Sequence, residues 1–251
     1  MTDKIITKYK TICISDLHLG TRDCKADILN NFLKNNECEN LFLLGDILDL
    51  WQIKQNKWKW KNSHTEVVRR ILSHSKHSNV EYILGNHDEE LRRWIEDDSA
   101  YGNIKIKNQS EYTGINGINY LLTHGDLFDG ISSLAPHLVL LGDKAYNIIL
   151  WLNNHYNYIR RRLGFGYWSL SSYLKHKVKG AIDFIFKFED NITTYAKKRG
   201  YGGVICGHIH RAEIKTINDI IYMNDGDFVD SCTALVEDFD GSWKIIYWEI
   251  I

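Results

Sequence analysis

Thr11-Ile12-Cys13-Ile14 runs without a charged residue into Ser15-Asp16-Leu17-His18-Leu19-Gly20. A short apolar run that ends on a small polar block fits a strand buried on both faces, delivering side chains at its carboxyl end. The pattern recurs four times. Leu41–Leu44 leads into Gly45-Asp46, and Val80–Leu84 into Gly85-Asn86-His87-Asp88. Tyr120–Thr123 leads into His124-Gly125-Asp126, and Gly203–Cys206 into Gly207-His208-Ile209-His210. Helix-like stretches lie between, such as Asp27–Asn35 and Thr65–His74, the latter with Val67, Val68, Ile71 and Leu72 on one stripe. Alternation of strand and helix argues for an α/β core, in which ligands gather beyond the carboxyl ends of strands. The polar blocks fall there.

The tail reads differently. Ile220–Tyr222, Thr233–Val236 and Lys244–Ile250, separated by turns such as Asp240-Gly241, fit antiparallel strands. The expected architecture is therefore a four-layer α/β/β/α sandwich, two mixed β-sheets flanked by helices, in a single domain over 1–251. A helical insertion is expected over 131–199, where Leu134, Leu138, Leu141, Ala145, Ile148 and Leu152 form an apolar seam. Tyr156, Tyr158, Phe165, Tyr167, Trp168 and Tyr173 follow, mixed with basic residues. From Lys144 to Arg199 eleven Lys and Arg face three acids, so this stretch carries about +8. No linker rich in Pro, Gly or Ser marks a domain boundary.

Composition narrows the class. A chain of 251 residues with 44 % hydrophobic and 25 % charged residues is long enough for a proper core. The net charge of −1 gives no global pull toward nucleic acid. Five cysteines, odd in number and without Cys-x-x-Cys, fit a reducing cytosol better than a disulfide framework. No signal peptide and no membrane-spanning run is expected.

The blocks supply Asp, His and Asn as candidate metal ligands, with a further His able to move a proton. An isolated Asp-x-His is usually a loop, and Gly-Asn-His-Asp alone is a turn signal. Five blocks in order, each behind a strand, change the inference. Asp16 and His18 alternate along what reads as an extended segment and so point to one side, as do His208 and His210. Asp46, alone after an apolar run and preceded by a glycine that leaves room, reads as a carboxylate bridging two ions. Two divalent ions neutralise a phosphate and acidify a water between them. Mixed imidazole and carboxylate ligands suit Mn²⁺, Fe²⁺, Co²⁺ or Zn²⁺ better than Mg²⁺ or Ca²⁺.

These blocks, spread over Asp16 to His210, resemble the signature of the calcineurin-type metallophosphoesterases. The resemblance implies that Asp16, His18 and His210, with bridging Asp46, hold one metal. It implies that Asn86, His124 and His208, again with Asp46, hold the second. His87 would face the phosphate and protonate the leaving oxygen, and Asp88 would orient His87.

A narrower resemblance covers most of the chain. Ile14–Gly20, Leu44-Gly-Asp-Ile-Leu-Asp49, His124-Gly-Asp-Leu-Phe-Asp129, Tyr167-Trp-Ser-Leu-Ser171, Cys206–His210 and Asn224-Asp-Gly-Asp-Phe-Val229 resemble the UDP-2,3-diacylglucosamine diphosphatase group. That group releases UMP and 2,3-diacylglucosamine 1-phosphate in lipid A synthesis, commonly with Mn²⁺, at the cytoplasmic face of the membrane. The resemblance implies a lipid-linked UDP-sugar substrate, contacted by Arg160, Arg161, Arg162 and Trp168, and peripheral membrane contact through the basic aromatic insertion. One residue departs from it: the characterised lipid A enzymes carry Arg where this chain has His87. Alternatives are a hydrolase of small soluble phosphoesters and a non-catalytic binding module on the same scaffold. A nucleic-acid partner is not expected, and the oligomeric state is left open.

Overall fold

The structure, a computed structural model, describes residues 6–93, 99–129, 156–158, 160, 162 and 179–249. These fall into two compact units, one of residues 1–126 with 192–251, the other of residues 127–191, which overlaps the expected insertion. The seam from Leu134 to Leu152 lies outside the described residues, as do Arg161 and Trp168.

The first unit holds two mixed β-sheets. Strands β1 (Thr7–Ile14), β2 (Asn36–Leu44), β3 (Asn79–Ile83) and β5 (Ile104–Lys107) are parallel neighbours at the centre of a seven-stranded sheet. Two-residue β4 (Ala100–Tyr101) closes one edge; β11 (Thr233–Glu237) and β12 (Trp243–Tyr247) complete the other, antiparallel to β1 and to each other. The second sheet runs β6 (Ser110–Thr113), β7 (Asn119–Leu122), β8 (Gly203–Cys206), β10 (Ile220–Asn224) and β9 (Glu213–Ile217).

The central strands read as continuous apolar runs because both of their faces are covered. One face packs on α1 (Ala26–Asn35) and α3 (Asn62–His74) through Ile12, Leu41, Leu43, Leu29, Phe32, Val67 and Ile71. The other meets the second sheet, where Cys13, Phe42, Leu44, Ile83 and Leu235 pack with Tyr120, Leu122, Ile205 and Met223. The carboxyl end of a further helix, Lys179–Lys198, reaches the turn between β9 and β10, where Lys197 pairs with Asp219 at 3.1 Å. This is the α/β fold of two mixed sheets flanked by helices that the alternation implies. All five cysteines are free and buried. No described helix is long and apolar enough to cross a membrane.

The parallel register places the carboxyl ends of β1, β2 and β3 side by side. Past Ile14 and Leu44 the two loops stay paired: Asp16 N–H donates to Gly45 O at 3.0 Å and His18 N–H to Asp46 O at 2.9 Å. The extended path expected for Asp-x-His and His-x-His is corrected here. Asp16, His18, Asp46, His208 and His210 all have positive φ, between 47° and 69°. Left-handed backbone costs an L-residue roughly 1–2 kcal/mol. Five such residues converging on one place are the kind of strain that a working site retains.

Candidate metal centre

Asp46 is the hub. Its Oδ1 accepts the backbone N–H of His87 at 2.8 Å. Its Oδ2 lies 3.3 Å from His124 Nε2 and 3.9 Å from Nε2 of both His18 and His87. Burial alone would raise this carboxyl, but His124, His87 and His18 outweigh it and hold Asp46 well below the usual carboxylate range. Asp16 completes the adjoining cluster. Its Oδ1 is buried without a hydrogen-bond partner, 3.0 Å from His210 Nε2 and 3.7 Å from His18 Nε2. A buried carboxylate oxygen facing two imidazoles is a donor set suited to a divalent cation. The atoms of Asp16, His18 and His210 lie within 4.8 Å of one another, as do those of Asp16, Asp46 and His124.

On the far side of Asp46, His124 Nδ1 donates to Leu44 O at 2.7 Å, leaving Nε2 for the site. That Nε2 lies 3.2 Å from Asn86 Oδ1, and the His208 ring stands 5.0 Å from the His124 ring. Burial opposes charge on His124, but Asp46, then Asp16 and Asp126, push it up to about 10. His18 is raised for the same reason, by Asp16, Asp49 and Asp46 against burial. The motif glycines are steric requirements. A Cβ on Gly85 would collide with Asp46 Oδ1, and one on Gly207 with Ser15 Oγ and Asp16 Oδ2. All seven residues expected as ligands are therefore gathered in one place.

The orientation of His87 departs from expectation. Asp88 does not reach it: its carboxylate accepts the backbone N–H groups of Leu48 at 2.9 Å, Ile47 at 3.2 Å and Gly85 at 3.4 Å. It ties the loop after β2 to the loop after β3. Burial, then the charge of Asp46, pushes Asp88 up to about 6. Asp49 takes the expected place, with Oδ1 3.1 Å from His87 Nδ1 and Oδ2 3.3 Å from His18 Nδ1. The signal was available, since Asp49 closes the stretch Leu44-Gly-Asp-Ile-Leu-Asp49.

Two further residues escape the motif reading. Ser15 Oγ lies 2.6 Å from both Asp16 Oδ2 and Asp225 Oδ1. Ser15 thus ties Asp225 to Asp16 through its hydroxyl, and burial, with Asp16 nearby, raises Asp225 well above the usual carboxylate range. His64 is fully buried and accepts the Gly20 N–H at 3.2 Å, so it packs a turn. In the second unit Arg160 lies over the Tyr156 ring at 5.7 Å and Arg162 over the Tyr158 ring at 4.8 Å.

Fold and site together define a metal-dependent phosphoester hydrolase. Residues 9–212 match the family described as calcineurin-like phosphoesterase, and the chain belongs to that family, whose members use divalent metal ions. No curated protein sequence matches it. Similar solved structures include a hypothetical protein from Pyrococcus horikoshii (12% identity, 98% of this chain and 89% of that one, TM-score 0.50). Others are a dimetal phosphatase from Danio rerio (14%, 98% and 100%, 0.48) and an archaeal phosphodiesterase (15%, 94% and 98%, 0.44). At 12% identity the likeness to the Pyrococcus protein is one of fold alone.

Proposed function

We propose that Asp16, His18 and His210 hold one divalent ion, that Asn86, His124 and His208 hold a second, and that Asp46 bridges them. The observation that carries this reading is Asp46 Oδ2, within 3.9 Å of three imidazole nitrogens. When bound, such a pair supplies charge neutralisation on the phosphoryl oxygens and a water acidic enough to attack near neutral pH. The ligand set, imidazole and carboxylate mixed, suits Mn²⁺, Fe²⁺, Co²⁺ or Zn²⁺, and the resemblance to the UDP-2,3-diacylglucosamine diphosphatase group selects Mn²⁺ among them.

The chain's own residues supply the rest. His87 Nε2, 3.9 Å from Asp46 Oδ2, gives its proton to the leaving oxygen as the P–O bond breaks. The Asp49 carboxylate, with Oδ1 3.1 Å from Nδ1, stabilises the imidazolium by its charge before transfer. Leu44 O fixes the tautomer of His124, and Asp49 that of His18, so each presents Nε2.

The substrate we propose is UDP-2,3-diacylglucosamine, cleaved across its pyrophosphate by water to UMP and 2,3-diacylglucosamine 1-phosphate. Six stretches of the chain resemble that group. Arg160, Arg161 and Arg162 with Trp168 bring cations and aromatic surface suited to a diphosphate, an acyl chain or an anionic membrane face. One observation favours a second reading: His87 stands where the characterised lipid A enzymes carry Arg. This suits a small soluble phosphoester whose leaving group needs a proton. A purely binding role has less support, because a scaffold requires neither His87 nor its Asp49 partner. The test is turnover by Mn²⁺-loaded protein of the acylated UDP-sugar beside a soluble diester, with Asp46→Asn as blank. Selective UMP release supports the lipid substrate; diester cleavage without UMP release supports the second reading.

A further inference from the structure

We propose that Trp51 is a positioning residue for His87, holding the imidazole in the plane from which its proton reaches the leaving oxygen. The inference rests on the reading above, in which His87 serves the phosphoester.

Three consecutive residues grip His87. Asp49 approaches Nδ1 at 3.1 Å, Leu50 N–H donates to the His87 carbonyl at 3.3 Å, and the Trp51 indole stacks on the ring face. The stacking distance is 4.0 Å between centroids, with 30° between planes. The edge of His18 closes another side, 4.5 Å away at 88°. The first turn of α2 (Leu50–Lys54) is itself fixed by Asp49, which accepts Gln52 N–H at 3.2 Å.

The physical need for a face contact follows from the side chain. The outer torsion of histidine has a broad minimum, so one contact at Nδ1 leaves the ring free to swing about that contact. A flat neighbour removes the swing, and a large rigid aromatic does so at little entropic cost. Nε2 is then held 3.9 Å from Asp46 Oδ2, on the side of the metal centre. Trp51 is half-buried and belongs to none of the expected ligand sets.

A mere space-filling role makes a different prediction, because its loss would act whether or not His87 is present. The experiment compares Trp51→Leu, Trp51→Phe, His87→Ala and the double variant Trp51→Leu/His87→Ala as Mn²⁺-loaded protein. Bis(p-nitrophenyl) phosphate and its phenyl analogue are the substrates, with metal content measured alongside. Trp51→Leu should lose about tenfold in kcat with KM and metal content unchanged, the scale of a modest misplacement. The loss should be larger for the phenyl ester, whose leaving group needs the proton more. Trp51→Phe should recover most of it, and Trp51→Leu should cost nothing further without His87. Wild-type rates in Trp51→Leu, or an undiminished loss in the His87→Ala background, would overturn the proposal. Inactivity of the wild type with every divalent ion, on the diesters and on the acylated UDP-sugar alike, or full activity of His87→Ala, overturns the catalytic reading instead, and the positioning role falls with it.

Discussion

Asp49 Oδ1 stands 3.1 Å from His87 Nδ1, while the other oxygen of the same carboxylate reaches His18 Nδ1 at 3.3 Å. One side chain thus orients both a proposed ligand and the proposed acid. Such a carboxylate typically contributes 10–100-fold in metal affinity or activity. Asp49→Ala should therefore lower kcat and weaken metal binding together, by about 10–100-fold each. Turnover and metal titration of one preparation check this, and loss of only one property would separate the two roles.

His87→Ala should behave otherwise. It should cut the rate by roughly 10²–10⁴, the usual scale for a general acid, with metal content intact. Elemental analysis beside kinetics checks it. Loss of metal would make His87 a ligand.

Metal uptake should release protons. In the metal-free protein Asp46 and its neighbours outweigh burial and push His124 up to about 10, so at neutral pH it is imidazolium. An incoming cation must displace that proton, and apparent affinity should rise with pH until about 10. Calorimetry in two buffers of different ionisation enthalpy checks this; equal apparent enthalpies would contradict it.

The same shifts set the stability of the metal-free protein. His124 has its folded value above the unfolded value of about 6.5. Its contribution is complete below that pH and is lost as pH rises toward about 10. Asp16, Asp46 and Asp49 are all depressed, against burial, by imidazoles around them. Their contribution is present above roughly pH 4 and is lost as pH falls. Urea midpoints of the metal-free protein should thus be highest between these limits, and bound metal should abolish the alkaline decline.

The inter-sheet core offers a test away from the site. Phe42 is buried among Cys13, Leu44, Tyr120 and Leu122, with its ring 5.3 Å from Tyr112. Phe42→Ala should destabilise by about 3–5 kcal/mol, read from urea unfolding. A loss under about 1 kcal/mol would mean that the sheets do not pack through this cluster.

Much of this was legible in the chain. The buried strands announced themselves as apolar runs, and each delivered its polar block to one end of the sheets. The short elements were not. Strand β4, strand β6 and helix α2 are only two to five residues long, with little room for periodicity to show. Alternation suggests extension at Asp16, His18, Asp46, His208 and His210, whereas all five have positive φ, and the loops of the first three are held by tertiary pairing. Adjacency in sequence points Asp88 at His87, whereas its backbone partners Ile47 and Leu48 come from another strand's loop. Ser15 and Asp225 lie 210 residues apart, a pairing no local pattern reveals.

The most direct test of the account is the metal stoichiometry of Asp46→Asn against the wild type, measured with diester or UDP-sugar turnover on the same samples. Two divalent ions per wild-type chain are expected, with fewer ions and no turnover once the bridging carboxylate becomes an amide. Two retained ions with full activity would contradict it, because Asp46 would then not bridge the centre.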